Sequence, residues 1–409
     1  MEEAERFDIV IAGGNHVGLS TALSIRSFAP HLSVLVVDAA PEHAGIGEGR
    51  ASAVAAAAVR MLDRLGVWQD MAGEAQPINE MIVTDSRLSD TVRPTFLTFD
   101  GAIAEGEPFA YMVPNPVMTA PLRAKAAELG IDVRFGTAVT AMSASNGHRR
   151  LTLSDGRFVD ARLVVAADGA RSRLRDMAGI GTVYNDYKQS GIVVTVAHER
   201  PHDGRAEEHF LPSGPFAILP LKGNRSSLVW TEPTREAERL VTAHPLVFET
   251  ELERRFGLKL GALTVEGKPR AYPLGLRLVR AFVAPRFALV GDAAHGLHPI
   301  AGQGLNYGYK DVAALAETVV EADRLGLDIG ALDVLQRYER WRRFDTLRMG
   351  MTTDVLNRLF SNDNPILRQV RSLGLSLVDR VPRLKDYFIG QAAGLSDEDS
   401  PRLLRGEAI

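Results

Sequence analysis

The chain contains no cysteine. That removes disulfides, thiolate-bound zinc, iron–sulfur clusters and dithiol relays at once. Redox chemistry would then need an organic cofactor or a metal held by nitrogen and oxygen, and no metal site is expected. Nor is there an excess of positive charge. Lys and Arg number 47 against 51 Asp and Glu, a net charge of −4, whereas a nucleic-acid binder needs clustered cations to meet phosphates. No apolar run approaches the roughly 20 residues of a membrane-crossing helix. The first residues are acidic, unlike the basic start of a secretory leader. A cytoplasmic protein, at most peripheral to a membrane, is therefore expected. Internal repeats are absent, and the only low-complexity stretch is the Ala55–Ala58 run. What is present is ample apolar material: 45% hydrophobic residues in 409, enough for two or three domains with large cores.

Phe7 to Ala12 reads as a buried strand. It runs into Gly13-Gly14-Asn15-His16-Val17-Gly18, a helical stretch from Leu19 to Phe28, and a second apolar strand, Ser33 to Val37, ending at Asp38. Strand, tight turn, helix, strand and acid within about 40 residues fit a dinucleotide-binding unit. Gly13 allows the turn. Gly18 lets the helix pack close to the sheet. The helix N-terminus offers roughly half a positive charge to a pyrophosphate, and Asp38 is placed to accept ribose hydroxyls. Asn15 stands where the middle glycine of G-x-G-x-x-G belongs; Asn tolerates left-handed backbone angles better than most residues, so the turn is expected to survive. Taken alone, the motif is weak, and its plainer reading is an ordinary strand–turn–helix.

Two further motifs follow. Leu163 to Ala167 is an apolar strand ending in Asp168-Gly169 and a basic helix start. Phe287 to Val290 is another, followed by Gly291-Asp292-Ala293-Ala294-His295-Gly296-Leu297-His298-Pro299-Ile300-Ala301-Gly302-Gln303-Gly304-Leu305-Asn306. Small residues at this density let backbone lie flat against a ligand. Asp292 at the strand end suits sugar-alcohol hydroxyls. The helix opening at Gly302 to Asn306 would aim its free N–H groups at whatever is bound.

These three motifs in this order, with Arg50 after the second strand, resemble the aromatic-hydroxylase class of flavoproteins, similar in fold to p-hydroxybenzoate hydroxylase. More narrowly, the chain resembles the FAD-dependent hydroxylases of ubiquinone biosynthesis. The narrower match is carried by Gly49 to Ala53, Gly214 to Leu221, Ser227 to Thr231, the His295–Asn306 run, Leu359 to Asn364 and the Gly374-Leu375 region.

The resemblance implies an α/β fold, with a Rossmann-like FAD domain, an inserted α+β substrate domain and C-terminal helices. Residues 1–75, 108–180 and 280–325 would form the FAD domain, 76–107 and 181–279 the substrate sheet, and 326–409 the helical tail. Gly13, Gly14, Asn15, Gly18 and Asp38 would hold the ADP half of FAD, and Arg50 its pyrophosphate or ribityl region. Asp168 and Gly169 would help hold FAD and handle the pyridine nucleotide. Asp292 would bind the ribityl chain, and Pro299, Gly302, Gln303, Gly304, Leu305 and Asn306 would line the isoalloxazine. The implied reaction is reduction of the flavin by transiently docked NAD(P)H, addition of O2 at flavin C4a, and transfer of one oxygen atom to a hydrophobic prenylated phenol.

No acid–base residue stands out. His295 and His298 are candidates to assist a phenol, with a structural role around the loop as the commoner alternative. Tyr187, His209 and Tyr272 fall in the substrate region, where core or surface placement is the commoner fate. Between Leu367 and Phe388, apolar residues recur at spacings of three and four among arginines. This predicts an amphipathic helix docked on the FAD domain, with contact to a membrane or to other ubiquinone-biosynthesis proteins as the alternative. A catabolic or tailoring phenol hydroxylase, or a non-catalytic flavin scaffold, would share the same flavin motifs. A flavin halogenase would need W-x-W-x-I-P, and Trp68, Trp230 and Trp341 do not supply it.

Overall fold

The structure is a computed structural model that describes residues 4–43, 49–88, 95–100, 102–104, 106–145, 147–298, 302–361, 390, 393–395 and 400–409. The chain opens with β1 (Glu5–Ala12), α1 (His16–Phe28) and β2 (Val34–Asp38). The alanine run is split: β3 (Ala51–Ala55) ends and α2 (Ala56–Arg64) begins inside it. Next come β4 (Glu80–Asp85), β5 (Thr95–Asp100) and β6 (Ala110–Pro114), then α3 (Asn115–Glu128) and β7 (Asp132–Phe135). The strands β8 (Val139–Ser145), β9 (His148–Leu153) and β10 (Phe158–Ala166) follow. A long β region holds β11 (Thr182–His198), β12 (Arg205–Leu211), β13 (Gly214–Leu221) and β14 (Arg225–Pro233). The helices α4 (Thr234–Thr242) and α5 (Pro245–Phe256) lead to β15 (Leu263–Val279), β16 (Phe287–Leu289), α6 (Gln303–Arg324) and α7 (Leu332–Phe360).

The first sheet runs β7-β2-β1-β10-β9-β8, with β16 pairing along the last residues of β10. β7, β2, β1, β10 and β16 are mutually parallel. Ile9, Val10 and Ile11 of β1 and Leu163, Val164 and Val165 of β10 are fully buried. Near-continuous apolar runs of this kind belong to parallel strands covered on both faces. The buried side of α1, including Leu19, Leu23 and Ile25, joins this core together with Val312, Leu315 and Val319 of α6.

The second sheet runs β15-β11-β14-β13-β12-β4-β5, with residues 295–296 added beside β15. It is antiparallel except where β12 meets β4. Strand alternation gives it two unlike faces. The outer face presents Ile192, Val194, Phe216, Leu228 and Trp230 to the apolar sides of α4 and α5. The inner face presents Ala206 and Leu221 to Ala53, Phe109, Ala110 and Met112, on and beside β3 and β6. The two sheets therefore meet across β3, whose small side chains permit the approach. Leu359, Phe360 and Ser361 close α7. The Asn362–Asn364 and Gly374-Leu375 motifs and the amphipathic pattern from Leu367 to Phe388 lie outside the described residues.

Candidate functional site at the carboxyl edge of the parallel sheet

Ala12, Ala166 and Leu289 are register partners on β1, β10 and β16. The three motif loops therefore leave the sheet side by side, at the edge where open parallel sheets bind ligands. Two glycines are required there. Gly13 has φ +119°, and a Cβ on it would collide with the Ala167 carbonyl. A Cβ on Gly18 would collide with the Gly13 carbonyl, so α1 packs against the turn only because it has none. Asn15 departs from the expectation: its φ is −102°, ordinary for any residue, and its Oδ1 accepts from the His16 N–H. It serves as the N-cap of α1 rather than as a glycine substitute. Asp38 is held by backbone, its Oδ2 accepting from Gly14 N at 2.6 Å and its Oδ1 from Ala40 N at 2.8 Å. The first turn of α1 carries no acidic side chain, so its positive end is left for a ligand.

In the second loop, Asp168 Oδ2 accepts from Arg173 N at 2.9 Å and Leu174 N at 3.3 Å, while its buried Oδ1 has no partner. Gly169 has φ +80°. Arg175, which sequence reasoning missed, donates to the Ala170 and Ala293 carbonyls at 3.3 and 3.1 Å, tying the second loop to the third. A basic residue early in a short helix gives no sequence signal for such a bridge. Asp292 is reached by solvent yet closely surrounded by protein, the signature of a cleft wall. Burial raises its carboxyl above the ordinary range, with His295, Arg50 and Arg277 opposing. Arg50 lies over the Tyr272 ring at 5.3 Å and helps line a cavity of about 360 Å³ with Thr195, Arg225, Lys268 and Arg270.

The third loop leads to α6. Gly302, at φ +64°, caps it without a side chain, and no acid occupies the first turn. Asn306 spends both ends of its amide on β3, donating to Ala53 O and accepting from Ala55 N, each at 2.9 Å. Gln303 is buried, Leu305 packs against the main core, and Gly304 has open space where a side chain would be. Pro299 lies outside the described residues.

The two histidines differ. His295 Nε2 meets Asp311 Oδ2 at 2.6 Å, and Arg342 Nε donates to Asp311 Oδ1 at 2.7 Å. Although burial works the other way, His295 and Arg342 hold the Asp311 carboxyl below its ordinary range. Gly291 N also donates to Asp311, so His295 belongs to a buried network that fixes the loop to α6 and α7. His298 is fully buried with no partner on either ring nitrogen, edge-on to Tyr187 at 5.3 Å between centroids. Burial pulls it down to about 4, so it is neutral near pH 7. Of the other substrate-region candidates, Tyr272 borders the cavity with Arg50, whereas His209 turns to the outer face and pairs with Thr84 at 2.8 Å. Among the described residues, no cluster of three or more His, Asp or Glu side chains is arranged to hold a metal.

The positive ends of α1 and α6, the unpartnered oxygen of Asp168 and the cleft carboxylate of Asp292 fit a long ligand, anionic at its middle and rich in hydroxyls and ring nitrogens. A flavin dinucleotide has that chemistry. The FAD binding domain family model matches residues 6–342. The chain is 45% identical to the ubiquinone hydroxylase UbiL of Rhodospirillum rubrum, over 98% of this chain and 92% of that one. It is 34% identical to the 3-demethoxyubiquinol 3-hydroxylase of Escherichia coli, over 95% and 98%. The chain belongs to the FAD-dependent hydroxylases of ubiquinone biosynthesis. As a member of that family it is an FAD-dependent monooxygenase, for which NAD(P)H is the usual electron donor. Solved structures agree on the fold. The p-nitrophenol 4-monooxygenase PnpA of Pseudomonas putida superposes with a TM-score of 0.79 at 20% identity, covering 96% of this chain and 99% of that one. The anhydrotetracycline hydroxylase OxyS of Streptomyces rimosus gives 0.74 at 24%, covering 96% and 76%. Among the described residues no helix is long and apolar enough to cross a membrane.

Proposed function

We propose that this hydroxylase inserts one oxygen atom of O2 into the ring of a polyprenyl phenol, drawing electrons from NAD(P)H that docks transiently. The observation that carries the reading is the 45% identity to a ubiquinone hydroxylase across nearly the whole chain, with the three cofactor loops of this chain set side by side. Bound FAD supplies the redox chemistry: it takes up hydride and activates O2. The protein supplies placement. Gly13, Gly14 and Gly18 bring backbone N–H groups to the pyrophosphate, and Asn15 fixes the helix that does so. Asp38 and Asp168 offer their remaining acceptor positions to ribose and ribityl hydroxyls. Arg50 balances phosphate charge, and Asp292 binds the ribityl chain. The start of α6, with Gly302, Gln303, Gly304 and Leu305, faces the flavin ring, where its N–H groups stabilise negative charge. The parallel-sheet region holds FAD, and the inner face of the second sheet covers the substrate, which keeps water from the reacting centre. A peripheral position at the cytoplasmic membrane face belongs to the same reading, because a polyprenyl tail partitions into lipid.

Deleting the gene and analysing the lipid extract by mass spectrometry tests the reading. Ubiquinone is expected to fall while an under-hydroxylated prenyl phenol accumulates, whose structure names the ring position. Unchanged ubiquinone, in a strain with no second hydroxylase for that step, would rule out the pathway and leave a flavin hydroxylase of another phenol.

A further inference from the structure

On β12 the charged run Glu207-Glu208-His209 is divided by strand alternation. Glu207 and His209 turn outward and pair at 3.2 Å, with Lys259 on Glu207 at 2.9 Å. Glu208 turns inward with Ala206 and Phe210. It is 3% exposed, and no hydrogen bond or ion pair from the described residues reaches its carboxyl. Its register neighbours are Val83 on β4 and Ala217 on β13. On one side, Ala206 belongs to the buried cluster that includes Ala53 and Met112. On the other, Phe210 stacks on Phe360 at 4.1 Å. A Cβ on Gly302 would sit 3.1 Å from that of Ala53, so this face adjoins the start of α6, where the flavin ring is placed. Glu208 therefore stands with Asp85 on an otherwise apolar stretch of the inner face, on the side of the sheet that meets β3.

We propose that Glu208 receives the ring hydroxyl of the aromatic substrate and takes its proton as the ring reacts, a role that rests on the reading of this protein as a phenol hydroxylase. In that step the phenolic O–H bond breaks and a new O–H bond forms on the carboxylate. The electron pair left on oxygen enriches the ring carbons ortho and para to it, and the proton returns to solvent when product leaves. A carboxyl buried without a partner is costly to the fold, and such groups gather at functional sites. Burial alone pushes Glu208 up to about 8, between an ordinary carboxyl and a phenol near 10. The ionisable groups on the same face are Asp85, beside Phe210 on β4, and, at the far side of the sheet, Arg225 at the start of β14 with Glu266, Arg270 and Tyr272 on β15. β13 carries none, and Tyr111 of β6 turns away to Trp68.

The test compares wild type, Glu208→Gln and Glu208→Leu, each purified with FAD, using a phenol bearing one isoprene unit as probe. Binding is read from the flavin absorbance, product by chromatography, and uncoupled turnover as hydrogen peroxide. Wild type is expected to bind and hydroxylate the probe, with product formation rising through about pH 8. Both variants are expected to keep their flavin and still oxidise NAD(P)H. They should bind the probe at least about 10-fold more weakly and lose about 100-fold or more in product, with the pH-dependent limb gone, the usual scale for a lost general base. Thermal melting supplies a readout independent of turnover: Glu208→Leu should melt no lower than wild type. A variant that melts well below wild type would make the carboxyl structural and overturn the proposal. Variants that match wild type in binding, yield and pH profile would overturn it while leaving the hydroxylase reading intact. A wild type that neither binds nor hydroxylates the probe would overturn both.

Discussion

The second sheet keeps its polar groups in order on one face and not on the other. Outside, under α4 and α5, Glu232 accepts from Trp230 Nε1 at 2.7 Å and from Arg255 Nε at 3.0 Å, with the guanidinium 4.5 Å from the Trp230 ring centre. His198 meets Ser226 at 3.1 Å, and His209 meets Thr84. Inside, facing the parallel-sheet half of the molecule, no hydrogen bond from the described residues reaches the Glu208 carboxyl or the buried Thr231 Oγ1. Permanently covered polar groups must be satisfied by the protein itself. Groups left open on a buried face mark where something else completes the bonding. The difference between the two faces supports the reading of the inner one as the substrate surface, without reference to any relative.

Substitutions can break that contrast, beginning with the outer face. Arg255→Met would leave Glu232 buried with its charge uncompensated, at a cost of roughly 3–5 kcal/mol, measured by chemical unfolding with flavin content unchanged in the fraction still folded. On the inner face, Glu208→Leu should stabilise, by about 1–3 kcal/mol, and only at higher pH. The folded carboxyl keeps its proton up to about 8, whereas the unfolded one releases it near the ordinary 4.5. Wild type therefore loses stability across that window as pH rises. Melting curves at pH 5 and pH 9 should show the variant's advantage only at pH 9, and equal gains at both would refute the assignment. The smallest effects come from a matched pair of hydroxyls. Ser226→Ala should cost about 1 kcal/mol by releasing His198, while Thr231→Val should be neutral within about 0.5 kcal/mol, since no protein bond is lost.

Much of this architecture was legible along the chain, because its signals are local. A glycine turn, an acid at a strand end and an apolar run each lie within a few residues, so the carboxyl ends of β1, β10 and β16 are legible to within a residue, whereas β10 begins at Phe158, five residues before the apolar run at Leu163. The presence of Asn15 was noticed but its physics was misjudged: capping, not positive φ, is what it does. What stayed hidden depends on register. Glu207-Glu208-His209 gives no sign along the chain of which member is enclosed, and only the pairing of β12 with β4 and β13 shows that its middle member points inward. In the same way, nothing near His295 announces Arg342, 47 positions later, as a member of its network. The alanine run reads as low complexity, whereas it supplies the last residue of the thin strand β3 and the first turn of α2.

The parallel sheet is assembled from pieces far apart in the chain: β1 needs β10 beside it, β10 needs β16, and Asn306 must reach back to β3. On the ribosome these pieces emerge in that order. At about 5–20 residues per second, roughly 15–60 s separate the synthesis of Gly13 from that of Gly302. Between the synthesis of β10 and that of β16 the nascent chain can hold only part of the sheet, with an apolar edge open, a form prone to pairing with other chains. The cofactor cradle is therefore a late product of translation.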